Sequence, residues 1–188
     1  MPNPRHGRRA ATTALTLFAA CTATPHPAGS SAVEARVHYS VPVLQRALFW
    51  DGNGEVDNAG ASLFATHYVA DGVGLGAGAT VAEWFLSGED AYSGEISMLG
   101  RWYPVTGLSG FWQSTCGFQQ ASDNIPPGGT EWNFTFSFGP GIEVPVAEHE
   151  SLLLGVDFHH TSNALGRQSH RNPSQNEGRL WIGYSWTF

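Results

Sequence analysis

The chain ends on RLWIGYSWTF, Arg179 to Phe188. In an extended chain successive side chains point to opposite faces. Leu180, Ile182, Tyr184, Trp186 and Phe188 therefore share one face, and Arg179, Trp181, Gly183, Ser185 and Thr187 share the other. The same period of two recurs upstream. Trp132, Phe134, Phe136, Phe138, Ile142 and Val144 oppose Glu131, Asn133, Thr135, Ser137, Gly139 and Glu143. Leu152, Leu154, Val156 and Phe158 oppose Ser151, Gly155, Asp157 and His159, while Val73, Leu75, Ala77, Ala79 and Val81 oppose a run of glycines. No long segment shows the 3.6-residue period of an amphipathic helix. Eight candidate strands follow, near 34–49, 58–70, 72–86, 91–105, 109–122, 130–146, 150–162 and 179–188, separated by Gly, Asp, Asn and Pro clusters.

Which face meets which solvent decides the fold. A soluble barrel buries its large apolar residues inside. Here the opposite face carries Glu131, Glu143, Asp157 and Arg179 among many Gly, Ser and Thr residues. Small and charged groups suit the crowded, hydrogen-bonded interior of a narrow barrel, and large aliphatic and aromatic groups suit a lipid-facing exterior with aromatic girdles. A closed barrel also satisfies every backbone group without water, as a membrane span requires. The predicted fold is all-β, an eight-stranded antiparallel up-and-down transmembrane β-barrel over residues 33–188. Alternation alone does not name the solvent, so a soluble lipid-binding barrel is the alternative.

Composition agrees with this class. Of 188 residues only 13% are charged, 12% are aromatic, and there are 23 glycines and seven tryptophans. The formal net charge of -7, with no basic stripe after residue 10, excludes a nucleic-acid-binding surface. Residues 1–32 read as a cleaved secretory leader: Arg5, Arg8 and Arg9 precede a weakly apolar run, Ala10 to Ala20, followed by small residues and prolines. That run is too short to span a bilayer as a helix. Cys21 stands where a lipoprotein cysteine would, and Cys116 is the other cysteine, so no disulfide framework is expected.

The stretch LLLGVDFHHTSNALG, Leu152 to Gly166, carries the candidate chemistry. His160 and Ser162 continue the outward face of Leu152, Leu154, Val156 and Phe158, at the end of a strand. Same-face residues two apart lie about 6–7 Å apart at Cα, a span an imidazole can bridge to a serine hydroxyl. Histidine as base and serine as nucleophile would serve acyl transfer, and the Asn163 amide could face a developing oxyanion. The other reading is that these are polar residues ending a membrane strand. His159 points inward by parity. His67, His149 and His170 form no metal-ligand spacing, and no phosphate loop, dinucleotide fingerprint or nucleophile elbow is present.

FHHTSNALG, the later Asn-Pro and Asn-Glu-Gly, and the final RLWIGYSWTF together resemble the C-terminal signature of the lipid A 3-O-deacylase family. The resemblance extends more loosely over GLGAGATVAEWF, RWYPV and GTEWNFTFSFGPGIEV. It implies an esterase of the cell outer membrane that removes an ester-linked acyl chain from lipid A or a similar acylated glycolipid. It implies no metal or organic cofactor. Outer-membrane lipid is the surrounding partner, and a second copy of the chain is a candidate one. By the same resemblance His160 is the base, Ser162 the nucleophile and Asn163 the oxyanion donor. The family's third residue, a glutamate, matches Leu180 here, and the displaced glycine leaves Leu165 before Gly166. Glu177 then substitutes as the acid, or a dyad suffices, or the barrel is a non-catalytic relative with a structural or adhesive role.

Overall fold

The computed structural model describes residues 26–43, 46–47, 50–51, 54–105, 109–165 and 173–188. The arginines, apolar run and Cys21 of the expected leader lie outside the described residues. The strands are β1 (Ser31–Pro42), two short ones in the following connection, β2 (Arg46–Ala47) and β3 (Trp50–Asp51), then β4 (Asn58–Ala70), β5 (Val73–Trp84), β6 (Ala91–Trp102), β7 (Gly110–Ile125), β8 (Thr130–Ala147), β9 (Glu150–Ser162) and β10 (Gln175–Thr187). Each long strand pairs antiparallel with the next, and β10 pairs with β1, closing an eight-stranded barrel. Ser31 and Thr187 sit at one mouth, the terminal mouth, with the connections 71–72 and 148–149 and the strand ends Trp102 and Gly110. Connections 85–90 and 126–129 sit at the other mouth, the loop end, with Pro42, Ser162 and Gln175.

Closure leaves no sheet edge, and the expected polarity is what the barrel displays. Leu63, Leu75, Val81, Ile96, Met98, Leu154, Val156, Leu180 and Ile182 are exposed, whereas Glu34, Arg36, Arg101, Gln113, Asp157 and Glu177 are buried. A water-soluble protein arranges these classes the other way round. Apolar side chains turned outward on strands of 12 residues or more, against a minimum of about 9–11, make this a membrane-spanning barrel.

The interior is a packed polar core. The Glu34 carboxylate accepts hydrogen bonds from Arg101 Nη2 at 2.9 Å to each oxygen and from Arg36. Arg101 also donates to Gln113 Oε1 at 3.2 Å, and Gln113 Nε2 reaches Asp157 at 3.3 Å. The Arg36 guanidinium lies over Phe64 and Trp181, 4.6 and 4.3 Å from their centroids, so its charge meets aromatic faces where water is excluded. A cavity of about 20 Å³ beside Arg36, His38 and Asp157 has room for one water. Arg101→Ala strips Glu34 of two of these charge-assisted bonds. The barrel is expected to lose about 3 kcal/mol of stability, read from the urea midpoint in lipid vesicles, because a buried charge is left under-compensated.

Glycines make room for this core. Cross-strand pairs Phe64–Gly78, Thr66–Gly76 and Tyr68–Gly74 let the side chains of Phe64, Thr66 and Tyr68 lie against β5. At the terminal mouth His26 stacks on Tyr68 at 4.1 Å and contacts Glu143 at 3.0 Å, and Tyr103 donates to the same carboxylate. Residues 26–30 thus already pack on the barrel, ahead of the expected boundary at 33.

Two strand boundaries differ from expectation in ways that matter. The first strand leaves the sheet at Pro42 rather than at 49. The last begins at Gln175 rather than at 179, because Asn176 and Glu177 have cross-strand partners in β9 and the Asn-Glu-Gly segment continues extended instead of turning. Glu131, read as an interior residue, is exposed at the loop-end rim of β8.

Candidate active site on the outer face of the barrel

β9 carries His160 and Ser162 on the same outward face as Leu152, Leu154 and Val156, at the loop end. Unlike those residues, His160 is covered, at 4% exposure, and Ser162 is half-buried. Across β8, Phe136 stands opposite His160 and Phe134 opposite Ser162. Phe134 belongs to a cluster with Phe118 and Trp132, at centroid distances of 6.0 and 6.1 Å. The pair therefore sits at the foot of a loop in an aromatic setting, with His160 covered and Ser162 partly exposed.

On the other side, β10 brings Asn176 directly opposite His160. His160 Nδ1 and Asn176 Oδ1 are 2.7 Å apart. A carboxamide oxygen only accepts, so Nδ1 carries the proton and donates it. Nε2 is then the basic nitrogen of the ring. That tautomer is the one a base needs to take a proton from Ser162 Oγ, with Nδ1–H held by a third group.

The structure does not bring Glu177 to this site. Its carboxylate is fully buried inside the barrel, 3.0 Å from His159 Nδ1, because residue 177 has the opposite parity to 176. Glu177 as the acid partner of His160 is corrected on that ground. Leu180 lies opposite Val156, four residues along β9 from His160, about 13 Å away at the rise of a strand. A carboxylate at position 180 would be out of reach as well. His159 points inward, as its parity requires.

Asn163 is adjacent to Ser162, but its carboxamide is engaged elsewhere. Nδ2 donates to Thr130 Oγ1 at 3.1 Å, and Oδ1 accepts from the Leu165 amide at 3.2 Å. It braces the chain leaving β9 against the start of β8. Ala164 within that turn has φ 58°, a left-handed conformation that disfavours a Cβ. Ala164→Gly is expected to raise stability by about 0.5 kcal/mol without altering the site, read as a higher temperature midpoint of the heat-modifiable band.

Asn176 is the residue that reading the sequence missed. Counting back along the outward face of the last strand, from Trp186 through Ile182 and Gly178, reaches it. Starting that strand at 179 ended the count four residues too early.

No family model matches the chain, and no curated protein sequence matches it. Solved structures do. The outer membrane protein OprG from Pseudomonas aeruginosa superposes with a TM-score of 0.53 at 15% identity, covering 87% of this chain and 98% of that one. Neisserial surface protein A superposes with a TM-score of 0.59 at 13% identity, covering 85% and 99%. At such identities the likeness concerns architecture: the chain has the fold of small eight-stranded outer-membrane barrels.

Proposed function

We propose that this outer-membrane barrel is an esterase that hydrolyses an ester-linked acyl chain of lipid A or a closely similar glycolipid. Ser162 is the nucleophile, His160 the base, and Asn176 the group that orients the imidazole. The observation that carries this reading is the 2.7 Å bond from His160 to Asn176, on the lipid-facing surface and two residues from a serine. His160 Nε2 takes the Ser162 proton as Oγ attacks the ester carbonyl, then returns it to the departing sugar oxygen. Water completes the cycle by hydrolysing the acyl-serine. A glycolipid reaches this site laterally through the outer leaflet, so neither a pocket nor a channel through the barrel is required. An oxyanion contact from Asn163 would use the second proton of Nδ2, beside the one given to Thr130.

The second reading is a non-catalytic barrel. An amide where a triad has a carboxylate, and an Asn163 committed to its turn, favour it. Incubating the detergent-folded protein with lipopolysaccharide separates the two. The esterase reading expects lipid A lighter by one acyl chain, with the matching free fatty acid, by mass spectrometry. Unchanged lipid A after prolonged incubation overturns it.

A further inference from the structure

The two histidines of β9 head two bonded pairs set back to back on neighbouring rungs of the same two strands. On the outer face His160 meets Asn176, and one residue away on the inner face His159 meets Glu177. His159 and Glu177 are 1% and 0% exposed. The inner pair does not stand alone. Gln175 Nε2 donates to the second Glu177 oxygen at 2.6 Å and to the Val56 carbonyl at 2.7 Å, and Gln175 Oε1 accepts from the Val56 amide at 3.0 Å. A Cβ on Gly54 would collide with Gln175 Oε1, so the glycine is what admits this link.

We infer that Glu177, with His159, is a positioning residue that fixes the β9–β10 register and thereby holds Asn176 against His160; this rests on the esterase reading above. The first residues of β10 lie at a sheet end, where strands fray. A slip of one residue exchanges the faces, turning Glu177 to lipid and Asn176 into the core. An ionised carboxylate resists that exchange strongly, because it leaves a matched buried partner for an apolar environment. The inner pair thus selects the register in which Asn176 reaches His160 Nδ1.

The test uses the full barrel in detergent micelles with ¹⁵N-labelled histidine. In the wild type the His160 Nδ1–H gives a slowly exchanging imidazole resonance, identified by its loss in Asn176→Ala. Glu177→Leu is expected to lose that resonance and to lower kcat by about 10²-fold with KM changed little, since misplacement of about 1 Å has that effect. Glu177→Gln, which keeps an acceptor for His159, is expected to retain the resonance and most of kcat. A folded Glu177→Leu barrel with the resonance and kcat intact overturns the inference. If Glu177→Leu does not fold, Gln175→Met decides in its place by the same two readouts, with the same directions expected. A wild type that cleaves no ester defeats the esterase reading, and the resonance then decides the positioning role by itself.

Discussion

Ser162→Ala is expected to lower acyl release by about 10³-fold or more, while the barrel still folds and runs as a heat-modifiable band. The loss is large because no other group can form the acyl intermediate: without Oγ, His160 has no nucleophile to activate. His160→Ala is expected to fall as far as the serine variant, since residues that act as one unit each remove nearly the whole effect. Neither change unsettles the fold. Ser162 is the last residue of β9 and half-buried, and His160 lies outside the polar core that Glu34, Arg101 and Asp157 build. Mass spectrometry of lipid A from cells expressing each protein provides the check. Identical patterns from wild type and Ser162→Ala would exclude catalysis through this serine on that substrate.

Asn176→Asp is expected to raise the rate, by about 10–100-fold. In the wild type the Asn176 oxygen already selects the productive tautomer, so orientation is in place. What the amide lacks is charge. As Nε2 takes the serine proton the ring becomes an imidazolium, and a carboxylate stabilises that cation where a neutral carbonyl dipole does so weakly. The site is largely shielded from water, with Asn176 1% exposed, so the added interaction is screened little. Asn176→Leu, of similar size but without an acceptor, should lose activity instead. A kcat for Asn176→Asp at or below wild type would show that His160 is not acting as a base through Nε2.

The barrel was legible because alternation is a property of single strands. Leu180, Ile182, Tyr184 and Trp186 had to share a face whatever they packed against, and charges on the other face favoured a membrane outside over a soluble barrel. Seven of the eight long strands begin within three residues of where turn residues and alternation place them. The exception, β10, begins four residues ahead of the expected 179, because Asn176 and Glu177 pair with His160 and His159 of β9. For the same reason the outward pair His160 and Ser162 could be found in sequence, and their third partner could not.

The sequence by itself determined the faces of the residues it set on strands: His160, Ser162 and Leu180 outward, His159 inward. Only the tertiary structure decided the register. A pattern of period two is unchanged when one strand slides past another by two residues, so Asn176, Gly178 and Leu180 were equivalent candidates to stand beside His160. Closure of β10 onto β1 and the buried pairing of Glu177 with His159 remove that degeneracy and place Asn176 there. Which residue completes the site is thus a property of the closed barrel.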